Sequence, residues 1–110
     1  MEIIRTSVND KKKLYKMTKG ADIKRVQDYE GLETVVEDFV VFTDQKNDGS
    51  DMKVLCFESD TGIFLATNSP TFIQAFSDII EVSGNIVGEK IKIVSSTSKA
   101  GRTFFTCVWC

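Results

Sequence analysis

Apolar and polar positions follow two rhythms along this chain, and the places where they change divide it into elements. From about Glu33 to Thr43, Phe39 and Val41 share one face of an extended segment and Val40 and Phe42 share the other, the period-two pattern of a strand. The run Asp44–Asp51 is dense in turn formers and predicts a hairpin loop. A second strand follows over Met52–Ser59, with Met52, Val54 and Cys56 opposed to Lys53, Leu55 and Phe57. Asp60-Thr-Gly62 predicts a tight turn, and Ile63–Thr67 is a short, almost wholly apolar third strand.

At Ser69-Pro70 the rhythm changes. Serine offers an N-cap oxygen, and proline suits the first helical position, whose N–H has no partner in any case. Phe72, Ile73, Phe76, Ile79 and Ile80 then draw one apolar stripe at helical spacing, and Gly84 marks the stop. Alternation resumes over Glu89–Ser95, Thr97–Gly101 forms another hairpin turn, and Arg102–Trp109 is a final strand with Phe104, Thr106 and Val108 opposed to Phe105, Cys107 and Trp109. Upstream, residues 1–8 read as extended. Asp10 caps a short helix over roughly Lys11–Thr18 that ends at Gly20, and residues 23–32 are a mixed, partly extended segment.

The order strand-strand-strand-helix-strand-strand is that of the OB-fold, a mainly β, five-stranded Greek-key barrel. Closure into such a barrel would account for strands that are apolar on both faces. The expected organisation is one domain over residues 1–110, with residues 1–30 as an N-terminal extension carrying the short helix.

Charge changes the picture more by its distribution than by its total of −2. Residues 1–26 hold eight Lys/Arg against three acids, residues 27–60 hold ten acids against two Lys, residues 61–89 add three acids, and residues 90–110 hold four basic residues and no acid. Charge sorted into blocks creates local fields that steer a polyanion which the average charge would repel. The ten acids of the central block also motivate another reading, a protein-interaction or inhibitor module whose acidic surface imitates nucleic acid.

The remaining chemistry argues against catalysis. The chain has no histidine, and neither a Gly-rich phosphate loop nor a Walker motif. Cys107-Val-Trp-Cys110 has C-x-x-C spacing, but it closes a β-patterned segment instead of opening a helix. With Cys56 as the only other cysteine, the four ligands of a structural zinc site are missing. The expectation is therefore no enzyme, no cofactor and no metal. With no apolar run near the ~20 residues of a membrane span, and no secretory signal at Met-Glu-Ile-Ile-Arg, the chain is expected in the cytoplasm.

Binding of a single strand needs aromatic faces for bases and cations for phosphates. Lys92, Lys99 and Arg102 surround the last hairpin, and Lys53 lies on the second strand. Phe57, Phe42, Phe105 and Trp109 are strand aromatics, with Tyr15 and Tyr29 further upstream. From these, Lys53, Phe57, Lys92, Lys99, Arg102, Phe105 and Trp109 form the candidate interface. Each also has an ordinary reading: phenylalanines in a barrel pack the core, Lys90 and Lys92 alternate with isoleucines as on any wet strand, and Lys11-Lys12-Lys13 is the solvent side of a helix.

The stretch Ala66-Thr-Asn-Ser-Pro-Thr-Phe-Ile-Gln-Ala-Phe76, with Ser98-Lys-Ala-Gly-Arg-Thr-Phe-Phe-Thr-Cys107 further on, resembles the small single-stranded DNA-binding proteins of phages and mobile elements of Gram-positive bacteria. Lys13–Gly20 and Val26–Leu32 extend the resemblance over most of residues 13–108. It implies an OB-type fold that coats single-stranded DNA in phage or plasmid replication or recombination. DNA and RNA both remain open as ligands, as do self-association into a homo-oligomer and contacts with replication or recombination proteins. It also singles out Asn68, Ser69 and Pro70 at the helix start and Ser98, Lys99, Gly101 and Arg102 at the hairpin. The acidic loop Asp44–Asp51 departs from that pattern, since lining a DNA groove it would repel the ligand.

Overall fold

Strands and helices form where the patterning predicts them, and two further strands complete the sheet. The computed structural model describes residues 1–110. In chain order the elements are β1 (Glu2–Thr6), α1 (Lys11–Lys19), β2 (Ile23–Arg25), a 3-10 turn (Val26–Tyr29), β3 (Glu33–Gln45), β4 (Asp51–Ser59), β5 (Phe64–Thr67), α2 (Pro70–Ser83), β6 (Lys90–Thr97) and β7 (Thr103–Trp109). Asp10 caps α1 by accepting from the Lys12 N–H, and Ser69 caps α2 by accepting from the Phe72 N–H. Gly84 ends α2 at φ 81°, a left-handed conformation that a Cβ would oppose, and its N–H closes on the Ile80 carbonyl.

The hydrogen-bonded order is β2-β5-β4-β3-β6-β7, antiparallel except for the parallel β2–β5 pair. β3 is long enough to serve two neighbours on one edge. Its first residues pair with β6 (Glu33 opposite Lys92), and its second half pairs with β1 (Phe42 opposite Ile3). A register shift between Val36 and Asp38 separates the two stretches. Ser7 pins this bulge: its hydroxyl accepts from the Phe39 N–H at 2.9 Å and donates to Asp38 Oδ1 at 2.7 Å.

Two expectations are corrected here. The sheet has seven strands, not five, because residues 2–6 and 23–25 of the expected N-terminal extension are built into it. It is also curled and open: β2 and β7 are its outer strands, and no ladder joins β7 to β5. The helix α2 bridges that gap, with the Ser69 hydroxyl donating to the Phe105 carbonyl at 3.2 Å.

Strands apolar on both faces have a different cause from barrel closure. The inner face (Val36, Phe39, Val41, Leu55, Phe57, Leu65, Ile91, Ile93, Cys107) packs against the apolar stripe of α2. The outer face (Val40, Phe42, Cys56) is covered by α1, whose Met17 is fully buried, together with Val8. Phe57, expected as a base-stacking ring, is wholly buried. It stacks on Phe72 with centroids 6.1 Å apart and tilts against Phe76 at 5.7 Å, so it has no free face.

A clasp holds α1 down. Lys13 Nζ reaches Asp38 Oδ2 at 2.6 Å and also pairs with Glu58. Hydrogen bonds to Asp38 and then Glu58 raise the lysine above its ordinary 10.5, against an opposing desolvation effect. Because the folded state holds this proton more tightly, the stabilisation is complete below 10.5 and fades as pH rises through the folded value. Lys13→Met is expected to cost up to about 1 kcal/mol at neutral pH. The difference in melting temperature from the parent should narrow only above pH 10.5. A gap that closes already at neutral pH would remove the clasp from the stability account.

The cysteines separate by burial. Cys56 lies in the outer-face cluster and Cys107 in the inner one, and burial pushes each thiol up to about 12, with Glu58 adding to the rise at Cys56. Cys110 is exposed, and all three are free. Alkylation of the native protein at mildly alkaline pH is therefore expected to modify Cys110 quickly and spare Cys56 and Cys107 until denaturant is added, as peptide mass mapping would read directly.

Candidate nucleic-acid interface

The start of α2 is the meeting point of three segments. Besides capping its helix and holding the Phe105 carbonyl, Ser69 donates its own N–H to Thr67 Oγ1 at 3.1 Å. The helix N-terminus is thereby fixed against the end of β5 and the beginning of β7. Beside it lies an open groove of ≈ 610 Å³ lined by Lys46, Asp51, Met52, Lys53, Asn68, Ser69, Pro70, Ile73, Gln74 and Ser77.

Lys53 enters this groove because of strand alternation. It stands opposite Thr43 and shares the inner face with Leu55 and Phe57, but lies beyond the point where α2 covers that face. Lys46 arrives from the β3–β4 hairpin, whose backbone closes through Lys46 N–H to the Ser50 carbonyl at 2.8 Å and Gly49 N–H to the Lys46 carbonyl at 2.9 Å.

The β6–β7 hairpin leads into β7 three residues before Phe105, whose carbonyl meets Ser69. Ser98 organises it: its N–H donates to the Arg102 carbonyl at 2.8 Å, its carbonyl accepts from Gly101 at 2.9 Å, and its hydroxyl accepts from the Arg102 N–H at 3.2 Å. Gly101 turns at φ 80°, which explains glycine there. Lys99 and Arg102 are left exposed on the outside of the turn.

Ion pairing explains how a net acidic chain keeps a cationic rim. Lys13 pairs with Asp38 and Glu58, Lys19 with Asp44, Arg25 with Asp28, and Lys90 with Glu33. Five acids of the central block are thus matched by cations from the two basic ends of the chain. Lys46, Lys53, Lys99 and Arg102 are in none of these pairs.

The acidic loop is partly accounted for in the same way. Asp44 faces Lys19 at 3.6 Å, and Asp48 turns onto its own loop, accepting from the Ser50 hydroxyl at 2.6 Å and N–H at 2.9 Å. Those Ser50 bonds hold the Asp48 carboxyl below the usual carboxylate range. Asp51 alone of the loop's acids lines the groove.

Of the seven predicted residues, Lys53 lines the groove and Phe105 meets Ser69 through its carbonyl, while Lys99 and Arg102 lie on the hairpin that leads into β7, outside the groove's lining. Phe105 is half-buried against the inner-face cluster, with part of its ring accessible. Phe57 belongs to the core. Lys92 and Trp109 stand at the far end of the β6–β7 ladder, roughly 20 Å of strand from the hairpin. They also point to opposite faces: Lys92 pairs with Val108, whereas Trp109 pairs with Ile91 and donates its ring N–H to Glu89 at 3.0 Å. Lys46 is the residue that sequence reasoning missed, and its place among hairpin turn formers was the available signal. Compared with protein-family models, curated proteins and solved structures, the chain finds no match.

Proposed function

We propose that this chain is a sequence-tolerant single-stranded nucleic-acid-binding protein built on an OB-type barrel left open between β5 and β7. The series β3-β4-β5-α2-β6-β7 follows the OB order of strands and helix, with α2 between the third and fourth of them. The observation that carries the reading is the groove at Ser69 with Lys46 and Lys53 in its lining, tied by the Ser69–Phe105 hydrogen bond to the strand whose hairpin carries Lys99 and Arg102, none of these four cations being ion-paired. OB barrels hold strands between the same two hairpin loops.

Lysine and arginine displace counterions from the phosphates while an aromatic edge receives a base. The resemblance in the helix-start and hairpin segments adds the setting: coating of single-stranded DNA in phage or plasmid replication or recombination, in the cytoplasm of a bacterial host. No helix is long and apolar enough to cross a membrane.

Fluorescence anisotropy with a labelled oligothymidine at low salt tests the proposal. Saturable binding is expected, and Arg102→Ala should weaken it by about 1 kcal/mol, roughly fivefold, as loss of one charged hydrogen bond does. An unchanged affinity in that variant would move the contact away from the last hairpin. A protein that leaves the oligonucleotide free at low salt would instead favour the rival reading, in which the acidic surface engages a protein.

A further inference from the structure

The outer face of the sheet, where OB barrels carry their ligands, is occupied here by α1. The helix turns its apolar side, Leu14 and the fully buried Met17, onto β3 and β4, and Lys13 is drawn sideways into the clasp with Asp38 and Glu58. The opposite side of α1 presents Lys11, Lys12, Tyr15, Lys16 and Lys19 to solvent, an arrangement that i, i+3 and i, i+4 spacing places on one face. Tyr15 is 64% exposed and is the most exposed aromatic ring of the chain. Only Lys19 among these lysines has an acid partner, Asp44. Beside the helix lies a second groove whose lining includes Lys16, Lys24, Phe64 and Asp22.

We infer that this face of α1 is a second contact surface for the phosphate backbone of the same single strand, with Tyr15 as a stacking platform among the lysines. The inference rests on the groove reading above and extends it.

Two features select a nucleic acid over other polyanions. An amphipathic helix that binds an anionic membrane needs its apolar side free, and here that side is packed on the sheet. Against an acidic protein, the surface is continuous with the first groove. Lys19 pairs with Asp44, Asp44 stands opposite Met52 in the β3–β4 ladder, Asn68 Nδ2 approaches Met52 Sδ at 3.8 Å, and Ser69 follows. A strand leaving Lys46 and Lys53 thus meets the C-terminal end of α1 next. The basic face of α1 and the groove cations Lys46 and Lys53 thus lie around one end of the sheet, without barrel closure.

Affinity and its salt dependence on short (about 4-nucleotide) and long (about 16-nucleotide) oligothymidines test this path. The parent protein should show a log–log salt slope steeper by about 2 on the long strand, from three further phosphates neutralised by Lys11, Lys12 and Lys16. K11Q/K12Q/K16Q should lose that increment on the long strand and bind the short one as the parent does. Tyr15→Ala should weaken only the long strand, by at least about fivefold.

Circular dichroism confirms that each variant keeps its helix. A triple variant with the parent's slope on both lengths overturns the inference while leaving the groove reading intact. If K53Q/R102Q has no effect on either strand and the α1 variant abolishes binding, the groove reading falls and the α1 surface stands. Equal affinity of the parent for anionic phospholipid vesicles and for the long strand would also overturn it.

Discussion

Raising salt from about 50 to about 200 mM is expected to weaken the binding of oligothymidine to the parent protein about fiftyfold. Each phosphate neutralised on a single strand contributes about 0.7 to the log–log slope. The groove and the β6–β7 hairpin together offer four cations that no ion pair neutralises, Lys46 and Lys53 in the groove and Lys99 and Arg102 on the hairpin. Their combined slope of about 2.8, applied to a fourfold change in salt, gives that factor.

The net charge of −2 predicts the opposite trend, because screening an overall repulsion would strengthen binding. The sign of the slope therefore separates a local cationic rim from the average charge. If α1 contributes as inferred, long strands show a steeper slope still, and the fiftyfold figure applies to strands short enough to stay in the groove.

The second large effect is structural. Phe57→Ala is expected to destabilise the protein by about 3–5 kcal/mol, a large share of the 5–15 kcal/mol that holds a domain together. The ring is fully buried between Phe72 and Phe76, at the centre of the cluster joining α2 to the sheet. The resulting cavity collapses poorly, because α2 is anchored at its start by the Ser69 bond to the Phe105 carbonyl and packs its whole apolar stripe on the sheet. Lys53→Gln, two registers away on the same strand, should change stability by no more than about 0.5 kcal/mol. Denaturant titration of the two variants reads the contrast. A Phe57→Ala protein of parental stability with weakened oligonucleotide binding would return Phe57 to the interface.

That pair of residues shows what the sequence carries and where it stops. Period-two alternation correctly assigns Lys53, Leu55 and Phe57 to one face of β4. It does not tell how far along that face α2 will reach, and this alone separates a core ring from a groove cation. The hairpins, the Ser69-Pro70 helix start and the Asp10 cap were legible because each is decided by neighbours in sequence.

β1 was legible only as an extended segment, and its place in the sheet was not. Its ladder is completed by the bulge in β3 and by Ser7, more than thirty residues from Phe39, so nothing local specifies it. The apolar outer face of β3 and β4 pointed to barrel closure, yet α1 covers it, and both arrangements demand the same pattern at Val40, Phe42 and Cys56. Charge blocks were visible as blocks. Which acid meets which lysine depends on α1 lying along β3, and so the free cations could be named only once the pairs were known.

The claim on which the function depends is that the unpaired cations of the Ser69 groove and the β6–β7 hairpin hold the phosphates. The most direct measurement is the salt dependence of oligothymidine anisotropy for K46Q/K53Q/K99Q/R102Q beside the parent protein, with melting temperatures taken on both. The account predicts equal melting temperatures, a large loss of affinity at low salt and a slope on short strands reduced to near zero. A variant that folds equally well and binds with the parent's affinity and slope would contradict it.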